Sequence, residues 1–222
     1  MHRWRPFAGS LCLLALTDAV ELPERRFAEE LELDAIAHPL RRRQALAVRE
    51  LARTAMRELG LPAPGIARVA NGAPQWPSTL VGSLAHDASH LAAMIAPSTR
   101  YSSIGVDVEP LLPLPEDAAA LVVGQREHAA LARMPGGYAR WSRALFGAKE
   151  CVHKALNPLT GVFLEFDEVE IQFLDGGDSF NQPSMPSFRV KPLSATASDA
   201  AQLLGRVWFT DAAVVTAAAI LR

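Results

Sequence analysis

The sequence has little of what marks several common protein classes. Its 222 residues include only two cysteines, Cys12 and Cys151, and neither is spaced from a second Cys or a His as in a zinc site. No apolar run approaches the roughly 20 residues that a transmembrane helix needs. With 22 Lys and Arg against 24 Asp and Glu, the net charge of −2 lacks the basic excess of a protein that binds duplex DNA. We therefore expect a cytoplasmic protein with neither a membrane nor a nucleic-acid partner.

The composition supplies enough apolar material for a large core. Half of the residues are hydrophobic and 21% are charged, which is typical of one large folded domain or of two small lobes. An apolar run at residues 11–16 follows the charged segment 2–5, as it does in a signal peptide. The run is shorter than the roughly 7–15 residues of a signal core and lacks a cleavage motif, so we interpret it as a buried strand.

Each half of the chain is predicted to contain helices followed by strands. Prolines at 110, 113 and 115 break the chain, so we expect an N-terminal lobe over 1–109 and a C-terminal lobe over 110–222. In the first lobe, helices are predicted over 24–36 and 40–59, and strands over 80–85, 90–95 and 103–109. In the second lobe, helices are predicted over 116–123, 126–133 and 138–156, the last ended by Asn157-Pro158. The remaining predicted elements are a turn-rich loop over 176–186 and strands over 169–173, 188–190, 205–210 and 213–221.

The predicted strand at 104–109 carries two carboxylates on one face. Because side chains alternate along a strand, Gly105, Asp107 and Glu109 share a face opposite the apolar residues 104, 106 and 108. Neighbouring carboxylates repel each other unless water or a cation separates them, and their oxygens suit a hard ion such as Mg²⁺. The residues alone leave two interpretations open: a metal site, or a solvated strand face before a proline turn.

The long helix of the second lobe has an apolar side and a charged side. At about 100° per residue, the apolar stripe consists of Trp141, Leu145, Ala148, Val152 and Leu156. Glu150 and Lys154 lie on the other side, one turn apart, with Gly147 beside them. They are either an ordinary surface pair or a carboxylate and an ammonium that face a cleft, in which Gly147 leaves room for a ligand.

The helix at 40–59 is rich in arginine. Its arginines are Arg41, Arg42, Arg43, Arg49, Arg53 and Arg57, and four of them (42, 49, 53 and 57) form a narrow stripe. In a chain of net negative charge, such a stripe favours anion binding, because guanidinium groups offer planar, bidentate donors to phosphate. A solvated helix face is the alternative.

The segment 82–86 ends a predicted strand and opens a turn. The hydroxyl of Ser83 and the neighbouring main-chain N–H groups can hold a phosphate there, and His86 can donate to another. A structural hydrogen bond from His86 is the alternative.

Taken together and in this order, these segments resemble the 4′-phosphopantetheinyl transferases of the Sfp-type superfamily, and among them the subgroup of the enterobactin synthase component. The family pattern is a basic helix, a G-x-P-x-W-P segment, a G-S-[IL]-[ST]-H turn, a G-[IV]-D-[VI]-E strand and an F-S-A-K-E-x-x-x-K-A helix. This sequence has RRRQALAVR at 41–49, GAPQWP at 72–77, GSLAH at 82–86, GVDVE at 105–109 and FGAKECVHKA at 146–155.

The resemblance implies transfer of the 4′-phosphopantetheine arm of coenzyme A to a serine of an acyl or peptidyl carrier protein, with release of adenosine 3′,5′-bisphosphate. It implies that Asp107 and Glu150 bind Mg²⁺ and that Glu109 supports the site directly or through water. Glu150 is also implied as the base that accepts the proton of the carrier serine, and Lys154 as the group that neutralises the diphosphate.

The resemblance also implies a set of coenzyme A contacts. His86 is expected to bind a phosphate, and Ser83 to help hold the nucleotide end. The residues expected to grip the 3′-phosphate are Arg41, Arg49 and Arg68, with Lys149 assisting. A continuous helix places Arg42 rather than Arg41 beside Arg49, so the choice between those two stays open.

The sequence departs from the family pattern at positions that carry no charge in the implied mechanism. Gly147 replaces the usual serine of F-S-A-K-E, which removes any hydroxyl contact there. Ala85 replaces the usual Ser or Thr before His86, and Gln44-Ala45 stand where Glu-Phe is common.

The expected architecture is an α+β fold of two similar lobes related by pseudo-two-fold symmetry, with coenzyme A and Mg²⁺ in the cleft between them. We expect a monomer that acts on an apo carrier protein with an acidic recognition helix. Two other functions are kept as alternatives: a non-catalytic module that binds coenzyme A or a nucleotide, and another Mg²⁺-dependent phosphoryl enzyme, such as a pyrophosphatase-like hydrolase.

Overall fold

The computed structural model describes residues 1–24, 26–69, 72–174 and 186–222. Its strands are β1 (His2–Trp4), β2 (Leu11–Leu16), β3 (Leu80–His86), β4 (His90–Pro97), β5 (Tyr101–Pro110), β6 (Val169–Leu174), β7 (Ser187–Pro192), β8 (Leu204–Phe209) and β9 (Ala213–Leu221). Its α-helices are α1 (Pro39–Glu58), α2 (Glu116–Val122), α3 (Gln125–Leu131) and α4 (Gly137–Thr160). Short 3₁₀ helices cover Thr17–Ala19, Ala28–Ala35, Phe166–Glu168 and Ser198–Gln202.

The first sheet is antiparallel, with strand order β1-β2-β4-β3, and α1 covers its outer face. Alternation along β2 builds both sides of this sheet: Leu11 and Leu13 pack against α1, whereas Cys12 and Leu14 face the opposite way. α1 begins at Pro39, since a proline at the first helical position gives up no hydrogen bond. This helix and sheet form one packed unit of the N-terminal half.

The second sheet is also antiparallel, with strand order β5-β9-β8-β7-β6, and α4 covers its outer face. Its inner face packs on the first sheet, where Ile104, Val106 and Val108 of β5 share a core with Cys12 and Leu14. The layers therefore run α1, first sheet, second sheet and α4, which confirms the α+β class. β5 pairs with β9, so the strand with the predicted carboxylates belongs to the second sheet, although its residues fall within the N-terminal lobe expected over 1–109.

The structure corrects two of the predicted helices. The helix expected over 24–36 is only the 3₁₀ helix Ala28–Ala35, because its buried Glu30 is held by Arg53 of α1 and by the main-chain N–H of Ile66. The long helix does not end at Asn157-Pro158. α4 continues through Pro158 to Thr160, where Gly161, with a φ of 67°, caps it and donates its N–H to the main-chain oxygen of Asn157.

The apolar run at 11–16 is the buried strand β2, as predicted. The short strand β1 was not predicted, because its three residues are too few to show an alternating pattern, and it forms by pairing with β2. The predicted loop over 176–186 lies outside the described residues except for Pro186. In the parts of the chain that the structure describes, no helix is both long and apolar enough to cross a membrane.

Candidate functional site

The carboxylates of β5 face α4, because a glycine lets the helix approach the strand. An added Cβ at Gly105 would lie 1.9 Å from the main-chain oxygen of Cys151 and 3.0 Å from the main-chain nitrogen of Ala155. No side chain larger than hydrogen fits between the strand and the helix at this point. The next two residues on the same face of β5, Asp107 and Glu109, are thereby brought within reach of the side chains of α4.

α4 presents a polar stripe to these carboxylates. Four residues that recur every three or four positions lie on the same side of the helix: Arg143, Gly147, Glu150 and Lys154. The Nζ atom of Lys154 donates to Oδ1 of Asp107 at 2.6 Å. Nη1 of Arg143 donates to Oε2 of Glu109 at 3.0 Å. The structure therefore places the predicted Asp107, Glu109, Glu150 and Lys154 in one cluster, which we call the carboxylate–lysine cluster.

Burial and mutual charge shift the titration of this cluster. Burial, with a further contribution from Asp107, raises the pKa of Glu109 to about 7 against the opposing effect of Arg143. Burial and Asp107 also raise the pKa of Glu150, while Lys154 lowers it part of the way. Burial by itself lowers the pKa of Lys154, but its two neighbouring carboxylates raise it more, so that Lys154 stays charged. Glu150 is thus a carboxylate with an increased tendency to accept a proton.

One oxygen of the cluster has no protein partner. Oδ2 of Asp107 and Oγ1 of Thr216, its neighbour on β9, are both buried and make no hydrogen bond within the described residues. Both lie beside Gly147, where an added Cβ would be 3.3 Å from Oδ2 of Asp107 and 3.0 Å from Oγ1 of Thr216. Gly147 therefore faces the second sheet rather than an open cleft.

The donor set of the cluster fits a hard divalent cation in its chemistry. Each acidic side chain of the cluster offers carboxylate oxygens, which hard cations prefer. Oδ2 of Asp107 has no hydrogen-bond partner among the described residues, and a bound cation could satisfy it. In the described ranges, no three acidic, His or Cys side chains are arranged to hold a metal ion. Ion pairs engage two of the predicted ligands, Asp107 with Lys154 and Glu109 with Arg143. Asp107, Glu109 and Glu150 stay the predicted side chains for Mg²⁺.

A basic cavity of about 460 Å³ lies in the first lobe. The side chains that line it include Arg41, Arg49, Arg68 and His86, all four of which were predicted to bind phosphate. Arg42 lies outside the lining and donates to the main-chain oxygen of Asp34, so Arg41 is the residue that faces the cavity. The cavity therefore offers three guanidinium groups and an imidazole to an anion.

Two of these cavity residues have shifted pKa values. Burial lowers the pKa of Arg49, whose Nε and Nη1 donate to the main-chain oxygens of Ile66 and Ala45. These bonds hold the guanidinium at the wall of the cavity. Burial and the positive charge of Lys154 lower the pKa of His86, so its imidazole is neutral near neutral pH and acts as a hydrogen-bonding group rather than as a cation.

A second cavity, of about 400 Å³, shares two lining residues with the basic cavity and is also lined by Lys154 of the carboxylate–lysine cluster. Pro74 and Leu84 line both cavities, and Lys154 lines the second. Ser83 also lines the second cavity rather than the basic one, and its Oγ accepts a hydrogen bond of 3.0 Å from the main-chain N–H of Val106. Ser83 thus ties the two sheets together beside Asp107, and its contact with the nucleotide end of coenzyme A stays a prediction.

The structure corrects the expectation that Lys149 assists in binding coenzyme A. Its Nζ is buried and donates to Oε2 of Glu127 at 2.9 Å and to the main-chain oxygens of Val122 and Phe166. Three acceptors satisfy the three donors of the ammonium group. Lys149 is therefore a tie between α4 and the segments that pack against it, and it is directed away from Lys154.

Sequence reasoning missed Arg143 and misjudged Arg53. Arg143 lies one helical turn before Gly147, on the same face of α4 as Glu150 and Lys154. This spacing in the sequence could have identified it. Arg53 was assigned to an exposed, anion-binding stripe, but it is 1% exposed and forms ion pairs with Glu30 and Glu50. Glu50 lies three positions before Arg53 on α1 and is a local partner, whereas Glu30 lies 23 residues earlier and no local pattern indicates it.

Comparisons of this chain with family models and with known proteins all match one family. The chain matches the family model of the 4′-phosphopantetheinyl transferase N-terminal domain over residues 29–96 and that of the 4′-phosphopantetheinyl transferase superfamily over residues 103–204. It is 41% identical over 162 residues to 4′-phosphopantetheinyl transferase Svp of Streptomyces mobaraensis, covering 71% of this chain and 65% of that protein.

Two further relatives have the same description. The chain is 39% identical over 158 residues to 4′-phosphopantetheinyl transferase Npt of Nocardia iowensis, covering 70% of this chain and 71% of Npt. It is 36% identical over 145 residues to 4′-phosphopantetheinyl transferase PptT of Mycobacterium tuberculosis, covering 65% of this chain and 64% of PptT. The matched region thus spans about two thirds of each relative's length.

Proposed function

The chain belongs to the 4′-phosphopantetheinyl transferase superfamily, and from that membership we propose that it transfers the 4′-phosphopantetheine arm of coenzyme A to a serine of an acyl or peptidyl carrier protein. One observation of the structure carries the proposal. A cavity lined by three arginines and a histidine shares two lining residues with a second cavity, and the lysine of the carboxylate–lysine cluster lines that second cavity. Coenzyme A carries phosphate in two places that would match these two regions. Its 3′-phosphate on the nucleotide would match the basic cavity, and its diphosphate, which leads to the pantetheine arm, would match the carboxylate–lysine cluster.

The basic cavity would hold the nucleotide end of coenzyme A. Arg41, Arg49 and Arg68 supply planar donors suited to the 3′-phosphate, and Arg49 is already held in place by its main-chain bonds. His86 lies between this cavity and Lys154, whose charge acts on it. We therefore assign His86 to a phosphate of the diphosphate or to the adjacent nucleotide.

The carboxylate–lysine cluster would carry out the transfer. The Oγ atom of the carrier serine forms a bond to the phosphorus that bears the pantetheine arm, and the bond from this phosphorus to the bridging oxygen breaks. Glu150 accepts the serine proton, consistent with its raised pKa. Lys154 neutralises the charge that develops on the leaving group, adenosine 3′,5′-bisphosphate. Held by Asp107, Glu109 and Glu150, Mg²⁺ would add positive charge at the diphosphate.

Several finer points belong to the same proposal. We propose a single-chain enzyme of the cytoplasm, in which residues 1–109 grip the nucleotide and supply the metal ligands Asp107 and Glu109, and residues 110–222 supply Glu150 and Lys154. Its partner is an apo carrier protein, which would approach the rim beside Glu109, where Leu112 is 62% exposed. Similarity to the enterobactin synthase component favours a carrier of secondary metabolism, such as siderophore synthesis.

The test is intact-mass spectrometry of candidate apo carrier proteins incubated with the enzyme, coenzyme A and Mg²⁺. We expect a carrier to gain the mass of one phosphopantetheine with the wild-type enzyme and to remain unmodified with Glu150→Gln. The matched control is Glu116→Gln, which makes the same change of charge at an exposed position of α2. A Glu150→Gln enzyme with the wild-type rate would contradict the assignment of the base.

A further inference from the structure

Arg143 is a charged residue of the site to which neither the sequence pattern nor the proposed mechanism gives a role. It is half-buried on α4, one helical turn before Gly147, and its guanidinium makes three hydrogen bonds. Nη1 donates to Oε2 of Glu109 at 3.0 Å, Nε to the main-chain oxygen of Leu112 at 3.0 Å and Nη2 to that of Pro113 at 2.8 Å. One side chain thus connects α4, a carboxylate of the cluster and the chain segment that follows β5.

We propose that Arg143 is a positioning residue, which holds the carboxylate of Glu109 in place beside Asp107 by bridging it to the main chain of residues 112–113. The proposal rests on the proposed function, because it concerns the orientation of one of the carboxylates of the transferase site.

Two physical reasons support this role. Asp107 and Glu109 are neighbours on the same face of β5, so their negative charges repel each other and favour rotation of Glu109 away from the cluster. An ion pair with Arg143 opposes that rotation, and its side chains are only 12% and 16% exposed, so water screens the pair weakly. The counterpart for Asp107 is Lys154, so each carboxylate of the strand has its own cation on α4.

The geometry requires a guanidinium rather than positive charge alone. The two main-chain oxygens that Arg143 contacts fix the plane of its guanidinium, and this plane sets where the carboxylate of Glu109 binds. The ammonium group of a lysine is a point charge on a flexible stem and cannot reproduce this fork. Arg143→Lys therefore keeps the charge of the site and removes the orientation.

The first experiment measures transfer kinetics for Arg143→Lys and Arg143→Met. We expect kcat to fall about tenfold for the lysine variant and about a hundredfold for the methionine variant, because a misplacement of about 1 Å costs up to about a hundredfold. KM for coenzyme A should change by less than about twofold, since Arg143 does not line the basic cavity. The matched control is Arg140→Lys, which makes the same substitution on the same helix. The Arg140 guanidinium stacks on the ring of Phe209 at 4.0 Å.

A double-mutant cycle tests whether Arg143 acts through Glu109. In a Glu109→Gln background, Arg143→Lys should lower kcat by less than about threefold, because the carboxylate that it orients is already gone. If the two effects multiply, Arg143 acts independently of Glu109, and the proposal is wrong.

A binding measurement provides a readout that does not depend on turnover. Titration of Mn²⁺ into each variant, followed by the electron paramagnetic resonance signal of the free ion, should show several-fold weaker binding for Arg143→Lys, whose charge equals that of the wild type. Thermal unfolding of the lysine variant confirms that it is folded. Wild-type kcat and Mn²⁺ binding in Arg143→Lys would overturn the proposal, whereas a wild-type enzyme that modifies no carrier would overturn the proposed function instead.

Discussion

The closest contact between β5 and α4 can be tested with a single methyl group. In Gly105→Ala, the new Cβ would lie 1.9 Å from the main-chain oxygen of Cys151 and 2.9 Å from its carbonyl carbon. The obstructing atoms belong to the backbone of α4 and cannot rotate away. The helix must therefore move from the strand by about 1 Å or more to restore an ordinary contact of about 3 Å or longer.

The size of the effect follows from this displacement. Overpacking in a core costs about 1–3 kcal/mol. The reduced freedom of the unfolded chain offsets about 0.4–1 kcal/mol of that cost. The net cost is then up to about 2.6 kcal/mol, and because about 1 kcal/mol corresponds to about 2–4 °C in a protein of this size, we expect the unfolding midpoint to fall by up to about 10 °C. The same shift separates Glu150 and Lys154 from Asp107, which should lower kcat by about a hundredfold.

Calorimetric unfolding and steady-state transfer kinetics measure the two effects on the same preparation. Gly147→Ala is the matched control for stability, because the nearest atoms to its added Cβ belong to side chains rather than to the backbone, the closest two at 3.0 Å and 3.3 Å. We expect it to lower the midpoint less than Gly105→Ala does. A Gly105→Ala protein with the wild-type midpoint and wild-type kcat would refute the reasoning, since it would show that α4 and β5 do not need their close contact.

Two further predictions concern residues outside the reaction. Lys149→Met should destabilise the protein by about 3–5 kcal/mol in chemical denaturation, because it leaves Glu127 buried without its cation. The control Lys191→Met, at a pair of 3.9 Å that is 46% exposed on the lysine side, should cost less than about 1 kcal/mol, and equal losses would contradict a buried tie. Burial lowers the pKa of His153 below 6.5, and its Nδ1 accepts from the main-chain N–H of Leu164, so stability is lost as the pH falls and the imidazole is protonated. His153→Asn should therefore show a smaller fall of its unfolding midpoint between about pH 7 and about pH 5 than the wild type, and an equal fall would exclude this contribution.

Much of the fold was predictable because periodicity reports burial. As predicted, the alternation of residues 104–109 places the apolar side chains and the carboxylates of β5 on opposite faces, and the structure shows the first between the sheets and the second toward α4. The apolar stripe of α4, which includes Trp141 and Val152, is buried as its spacing indicated. In each case, one face of a regular element meets the core, so the sequence alone contains the information.

The remaining features depend on partners that are distant in the sequence. Lys149 lies on the same helix as Glu150 and Lys154. Its ammonium group instead donates to Glu127, 22 residues earlier in the sequence. Ser83 lies in a motif typical of phosphate binding, yet its hydroxyl oxygen accepts from Val106, 23 residues later, where the two sheets meet. A local pattern identifies the residue type and the element, whereas the packing of the two sheets decides which group each side chain contacts.

The most direct test of the account is the stoichiometry of a single reaction. Wild-type enzyme, coenzyme A, Mg²⁺ and an apo carrier protein are mixed, and the adenosine 3′,5′-bisphosphate released and the carrier serine modified are measured together. The account predicts equal amounts of the two products and no release of bisphosphate without the carrier. Bisphosphate released without modification of a serine would indicate a hydrolase and contradict the proposed transfer.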